Sequence, residues 1–333
     1  MPTISAFPLA RNHLRFAELI EATDSFFLET WPFESQRERD LLVQCHYGSF
    51  ISKIIPDGDF EKMIWACRAS TLLFLTDDWI EKQPHGKGSG LSDRIARIVR
   101  GEMDPTAGSL VEEMLNQIFR AIEGNTEVEQ FRQLSHLTCE CLRLQDMPAY
   151  ENITKYLDFR SYNSGGYFAL GLARYALNIY LTDDELEVPR LVICERLALD
   201  AIVMENDVAS YEKEAEQNTL GNNLVARLLQ HGTDGHTFTS ASTVKVYLRE
   251  RIADSEARLR EAIPVALTDT MLRTSDAVRR WLHALPYIVS GSAWWSQHTG
   301  RYNIPGKPVP RRIIYLEGKG DIIVPEPQGI EFP

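Results

Sequence analysis

Apolar positions recur every three to four residues along most of this chain, the repeat that lines one face of an α-helix. The pattern predicts helices over roughly 35–54, 60–83, 91–100, 107–122, 127–145, 149–163, 167–180, 184–219, 221–231, 239–263 and 269–297. Turn formers separate them at Pro56-Asp57-Gly58, between Pro84 and Gly90, and between Gly232 and Gly235. Strand-like alternation is scarce, with RRIIYL near the C-terminus a short exception. There is no fixed-period repeat, and no linker rich in Pro, Gly or Ser divides the middle of the chain. The expected architecture is one all-α domain over residues 1–303, followed by a proline-rich tail or cap over 304–333.

Two of these helices end against their own pattern. FEKMIWACRASTLLFLTDDWIEKQ, residues 60–83, is apolar nearly all round from Met63 to Thr76, as in a buried helix. It then presents Asp77, Asp78 and Glu81 at i, i+1 and i+4, just before Pro84 and Gly86. The second helix runs through VPRLVICERLALDAIVME into NDVASYEKE. There Asn206, Ser210 and Glu214 repeat every four residues and so lie along one face. A carboxylate at a helix C-terminus faces like partial charge and costs about 0.3–1 kcal/mol. Two unrelated solvated helix ends would need this arrangement twice. A divalent cation between them removes the cost, and amide, hydroxyl and carboxylate oxygens are hard donors suited to Mg²⁺ rather than Zn²⁺.

A third acidic run, DDELE at 183–187, has the opposite placement. Thr182 and Glu185 form a capping-box pattern, and acids in a first turn complement the helix dipole. Asn206 lies 23 residues beyond Asp183, about 34 Å along an unbroken helix. Capping, not metal binding, is the expected role.

Composition narrows the function classes. Of 333 residues 44% are hydrophobic, enough for a sizeable core. A formal net charge of −12 argues against nucleic-acid binding, which needs clustered Lys and Arg. It leaves room for an anionic small molecule, because bound cations invert local charge. Cys45, Cys67, Cys139, Cys141 and Cys194 are odd in number and sparse, and are expected to be reduced thiols. MPTISAFPLARNHLRF lacks the basic start and long apolar run of a signal peptide. No stretch reaches about 18 uninterrupted apolar residues. The reading is a cytoplasmic protein without a membrane span.

DDWIE followed by NDVASYEKE resembles the two metal-binding motifs of class I terpene synthases, DDxx(D/E) and (N/D)Dxx(S/T)xxxE, without substitution at any ligand position. The resemblance extends to Arg160 in YLDFRSYNSGG, 46 residues before Asn206, where the family carries an arginine that senses diphosphate. It extends also to Lys213 and to the pair Arg301-Tyr302, and spans roughly residues 40 to 302. It implies a helical bundle around a central active-site cavity, three Mg²⁺ ions and a prenyl diphosphate substrate. Asp77 would bind two ions, and Asn206, Ser210 and Glu214 the third. Asp78 and Glu81 would be either ligands or salt-bridge partners. Arg160, Lys213, Arg301 and Tyr302 would contact diphosphate.

The carbocation such an enzyme makes needs a dry, aromatic cavity. Candidate lining residues are Phe50, Phe74, Tyr162, Trp294 and Trp295. The NSGG stretch should break its helix, so that the carbonyl of Ser164 or Gly165 faces the substrate. The expected activity is that of a sesquiterpene cyclase acting on farnesyl diphosphate, as monomer or homodimer. The alternatives are a chain-elongating prenyltransferase and a non-catalytic helical isoprenoid-binding protein. DxDD, which a protonation-initiated cyclase needs, is absent from the sequence.

Overall fold

Residues 7–81, 89–143, 149–233, 235–302, 311–316 and 320–325 are described by a computed structural model. Among them the chain forms α1 (Phe16–Thr30), α2 (Gln36–Cys45), α3 (Tyr47–Ile54), α4 (Phe60–Glu81), α5 (Ser89–Val99), α6 (Leu110–Glu123) and α7 (Val128–Arg143). Then follow α8 (Ile153–Asn163), α9 (Gly166–Ala176), α10 (Asp183–Leu186), α11 (Pro189–Gln217), α12 (Leu224–His231), α13 (Ala241–Leu267) and α14 (Asp276–His298). A hairpin of β1 (Arg311–Leu316) and β2 (Gly320–Pro325) follows the last helix. The class is all-α, as the periodicity predicts. No described helix is long and apolar enough to cross a membrane.

Buried, largely apolar helices sit at the centre. α4 packs on α1, α3, α6 and α9, while α11 packs on α8, α9, α13 and α14. α14 closes the ring by packing on α3. That contact is close enough that a Cβ on Gly291 would stand 2.3 Å from the Lys53 carbonyl. Only glycine fits there. The inner faces of α3, α4, α9, α11 and α14 thus enclose a cavity.

Several boundaries differ from the sequence expectation, each for a physical reason. α1 was not expected because its buried row is Leu19, Thr23, Phe27, with a polar residue in the middle. Thr23 solves its own burial by donating to the Leu19 carbonyl at 2.7 Å. The helix predicted over 35–54 is two helices, parted at His46 in the left-handed region with φ 49°. The carbonyls exposed by the break accept from α14's end, Cys45 from Thr299 Oγ1 at 2.7 Å and His46 from Trp295 Nε1 at 3.3 Å. The helix predicted over 184–219 is also two, because α10 ends at Leu186 and Pro189 starts α11. The capping box of Thr182 and Glu185 is present. RRIIYL pairs antiparallel with the second strand, Ile313 opposite Ile323, so the tail expected to be extended contains a hairpin. All five cysteines are buried thiols outside any disulfide.

Candidate active site

α4 delivers Asp77 and Asp78 to the mouth of the cavity, and the chain after α14 returns Arg301 to meet them. Arg301 donates from Nη1 to Asp78 Oδ2 at 2.6 Å and from Nη2 to Asp77 Oδ2 at 3.4 Å. Lys213 Nζ stands 3.4 Å from the other Asp78 oxygen. Tyr47 bridges the group, its hydroxyl 3.1 Å from Arg301 Nη1 and 3.3 Å from Asp78. Burial works against charge on Asp78, but Arg301 and Lys213 outweigh it and hold the carboxyl below its ordinary value. Asp77 is pushed the other way: desolvation in the cleft raises its carboxyl against the pull of Arg301, and Asp78 adds like charge. Arg301 is 7% exposed, so it is no surface residue. Glu81 ends α4, and its side chain lies outside the described residues.

Across the mouth, α11 presents Asn206 and Glu214, with Ser210 buried between them in the row. Asn206 donates to the Tyr302 hydroxyl at 2.6 Å, which ties the Arg301-Tyr302 segment to this helix. Desolvation and nearby Asp207 raise the Glu214 carboxyl above its ordinary value, despite hydrogen bonds from Ser210 and Asn223. A half-desolvated carboxylate beside a hydroxyl and an amide is a donor set that a hard cation satisfies. The fit to Mg²⁺ is therefore good. Among the described residues no three of His, Cys, Asp and Glu converge on one point.

Arg160, in the last turns of α8, faces the same mouth. Its Nη2 pairs with Asp207 Oδ1 at 3.0 Å and its Nη1 donates to Asn163 Oδ1 at 2.6 Å. Its Nε is buried without a hydrogen-bond partner. A buried guanidinium N–H left unpaired is costly unless a ligand completes it, and a phosphate oxygen suits it well. Asp158, the alternative partner near in sequence, pairs with Arg196 instead.

Below this polar mouth lies an apolar chamber, and the two share Leu73, Phe74, Ser164 and Asn206. Phe50, Phe74 and Trp295 line it as one aromatic cluster. Phe74 stacks on Trp295 at 5.2 Å, and Phe50 meets both edge-on at 6.0 and 5.2 Å. Ser164 and Gly165 line it at the break between α8 and α9. Gly165 carries φ 78°, and a Cβ there would stand 2.9 Å from Leu73. The Gly165 carbonyl accepts from Ala169 N at 2.8 Å. Among the described residues nothing donates to the Ser164 carbonyl, which is the one left for a ligand.

Two expected lining residues are placed elsewhere. Trp294 stacks on His298 at 4.3 Å and carries Lys53 Nζ 3.6 Å from its ring centre. It is one helical step from Trp295, about 100° around α14, and so faces α3 instead of the chamber. Tyr162 packs at a tilt on Tyr167, ring centres 4.4 Å apart, and is not among the residues that line the chamber. DDELE is also remote in role, because Asp183 bonds Arg132 and Gln133 as α10 is capped.

Three contributors escaped the sequence reading. Tyr47 bridges Arg301 and Asp78. Asp207 is fully buried and gathers Arg160, the Leu224 N–H at 3.0 Å and the Tyr156 hydroxyl at 2.5 Å. Asn223 is also fully buried, and its Nδ2 reaches Glu214 Oε2 at 3.0 Å, Ser210 Oγ at 3.3 Å and the Asp207 carbonyl at 2.9 Å. Its Oδ1 meanwhile accepts from Val225 N and caps α12. The one available signal was Asn223 as a capping residue before an apolar run.

Comparison with known proteins places this geometry in a family. Residues 68–255 match the terpene synthase family 2, C-terminal metal binding. Aristolochene synthase of Penicillium roqueforti is 24% identical over 298 residues, 87% of this chain and 85% of that protein. Aristolochene synthase of Aspergillus terreus is 23% identical over 306 residues, 88% and 91% of the two chains. The crystal structure of the Penicillium roqueforti enzyme superposes with a TM-score of 0.77 at 23% identity, over 90% of this chain and all of that one. With more than half its length matched, both motifs intact and the helical fold shared, the chain belongs to the terpene synthase family.

Proposed function

We propose that this protein is a Mg²⁺-dependent sesquiterpene cyclase that ionises farnesyl diphosphate, cyclises the allylic cation and releases diphosphate. One observation carries the reading. A mouth that holds both oxygen ligands and the cationic side chains of Arg160, Lys213 and Arg301 opens directly onto an aromatic chamber. A prenyl diphosphate has the same division, an anionic head on an apolar chain. Residues 1–303 form the catalytic domain in this assignment, and 304–333 a tail.

Asp77 would hold two of three Mg²⁺ ions, and Asn206, Ser210 and Glu214 would hold the third. Asp78 and Glu81 either join as ligands or pair with Arg301 and Lys213. Bound Mg²⁺ supplies the positive charge that stabilises the leaving diphosphate. Arg160 lines the mouth, and Asp207 and Asn163 fix its guanidinium plane for contact with a phosphate oxygen. Arg301, Lys213 and Tyr302 add donors where negative charge develops, the electron pair of the broken C–O bond staying with the diphosphate. Phe50, Phe74 and Trp295 give the cation aromatic surroundings, and the Ser164 carbonyl adds a negative dipole. The apolar walls exclude bulk water.

A chain-elongating prenyltransferase would need a second aspartate-rich ligand set. DDELE is the candidate, and its Asp183 is engaged by Arg132 and Gln133. The test is incubation of the protein with farnesyl diphosphate, with Mg²⁺ or with chelator, and mass spectrometry of the organic extract. A cyclic product formed only with Mg²⁺ is expected. A longer linear diphosphate on adding isopentenyl diphosphate would replace the reading with the elongating one. Silence with farnesyl, geranyl and geranylgeranyl diphosphates would leave a non-catalytic isoprenoid-binding protein.

A further inference from the structure

Buried serines in helices ordinarily return the hydroxyl proton to a carbonyl about one turn back. Ser161 does so to Leu157 at 2.7 Å, and Ser290 to Tyr287 at 3.2 Å. Ser70 of α4 and Ser292 and Ser296 of α14 do not. Each is at most 4% exposed, each lines the apolar chamber, and none is hydrogen-bonded to another described residue. None is sealed against protein as an orphan either, so the three hydroxyls open on the cavity. Ser292 and Ser296 lie one turn apart and share a face. Trp295, whose ring stacks on Phe74, sits beside them. An apolar chamber lined by three such hydroxyls offers the polar partners that a buried water requires.

We propose that Ser70, Ser292 and Ser296 hold a water molecule that adds to the final carbocation, so that the principal product is a cyclic terpene alcohol. This rests on the cyclase reading above. A lone pair of the water oxygen forms the C–O bond to the cationic carbon. The protonated alcohol then passes its proton to the diphosphate, which already carries the electron pair of the original C–O bond. Nothing is oxidised or reduced. The hydroxyls orient the water, and the aromatic cluster holds the cation against the same helix.

The experiment is turnover of farnesyl diphosphate with Mg²⁺ in heavy-oxygen water, with diphosphate release and the extract read together. The expected wild-type product is a cyclic alcohol carrying the heavy oxygen. In the Ser292→Ala, Ser296→Ala double variant the alcohol-to-hydrocarbon ratio, per diphosphate released, falls by about tenfold or more. Ser296→Thr, which keeps the hydroxyl, retains the alcohol. A hydrocarbon or a linear alcohol as the main wild-type product overturns the proposal while the cyclase or ionisation reading stands. An unchanged ratio in the double variant also overturns it. No diphosphate release from any prenyl length removes both.

Discussion

Arg301 and Asp78 stand 2.6 Å apart although 223 positions separate them in the chain. A proposed diphosphate donor is thus paired with a carboxylate of the proposed metal motif. Lys213 pairs with the same carboxylate. Ligand binding must exchange these pairs for others. Asp78→Asn should therefore act in two directions. It leaves Arg301 only the longer pair with Asp77, and because Asp78 is 30% exposed the loss is about 1–3 kcal/mol of stability. It also frees both cations, so inorganic diphosphate without metal should bind more tightly. Thermal unfolding and calorimetry read the two effects, and weaker diphosphate binding would contradict the exchange.

The α11 row can be separated from the fold. Asn206→Ala and Glu214→Gln should each lower kcat by about 10³ or more while circular dichroism stays helical. Because desolvation and Asp207 already disfavour the Glu214 carboxylate, Glu214→Gln should unfold no earlier than wild type in chelator. Full turnover in either variant would remove the metal-row assignment.

Asn223 holds two of the proposed ligands and the backbone of Asp207 at once. Asn223→Ala should cost about 1–2 kcal/mol as a lost cap. It should also raise the Mg²⁺ concentration for half-maximal rate by about 10–100-fold, as loss of a ligand's hydrogen-bond partner does. Asn223→Asp restores the cap but sets a carboxylate against Glu214, so it should recover stability without recovering rate. Equal rescue of both would mean that Asn223 only caps α12.

Lys53 sets the alkaline behaviour. It is buried against Trp294, and burial pushes its ammonium down to about 8. The unfolded chain keeps that proton to about 10.4. Between the two values the unfolded state binds more protons, so this group's contribution to stability rises with pH. Below pH about 8 both states are charged and the burial cost is paid in full. Lys53→Met should stabilise the protein at neutral pH by on the order of 2 kcal/mol, and the gain should shrink towards pH 10. Denaturant unfolding at the two pH values checks this, and a gain independent of pH would refute it.

DDELE variants form the control. Asp183→Asn loses bonds to Arg132 and Gln133, which costs about 0.5–1 kcal/mol at an exposed site. Turnover at a temperature well below unfolding should be unaffected.

Local periodicity by itself determined much of this protein. Residues four apart on a helix share a face in any fold, so the row Asn206, Ser210, Glu214 and the cluster at Asp77 were legible in the sequence. The capping of DDELE was legible for the same reason, since a cap involves only its own first turn. What the chain could not state locally is which way a face points once helices pack. Trp294 and Trp295 are equal candidates in sequence, and only the seating of α14 on α3 turns one to the chamber and the other to Lys53. Likewise the break at His46, the bridge at Tyr47 and the buried hub of Asp207 and Asn223 depend on partners up to 254 positions distant. Those bonds pay for themselves only after the core has closed and water has left, which is a property of the tertiary structure alone.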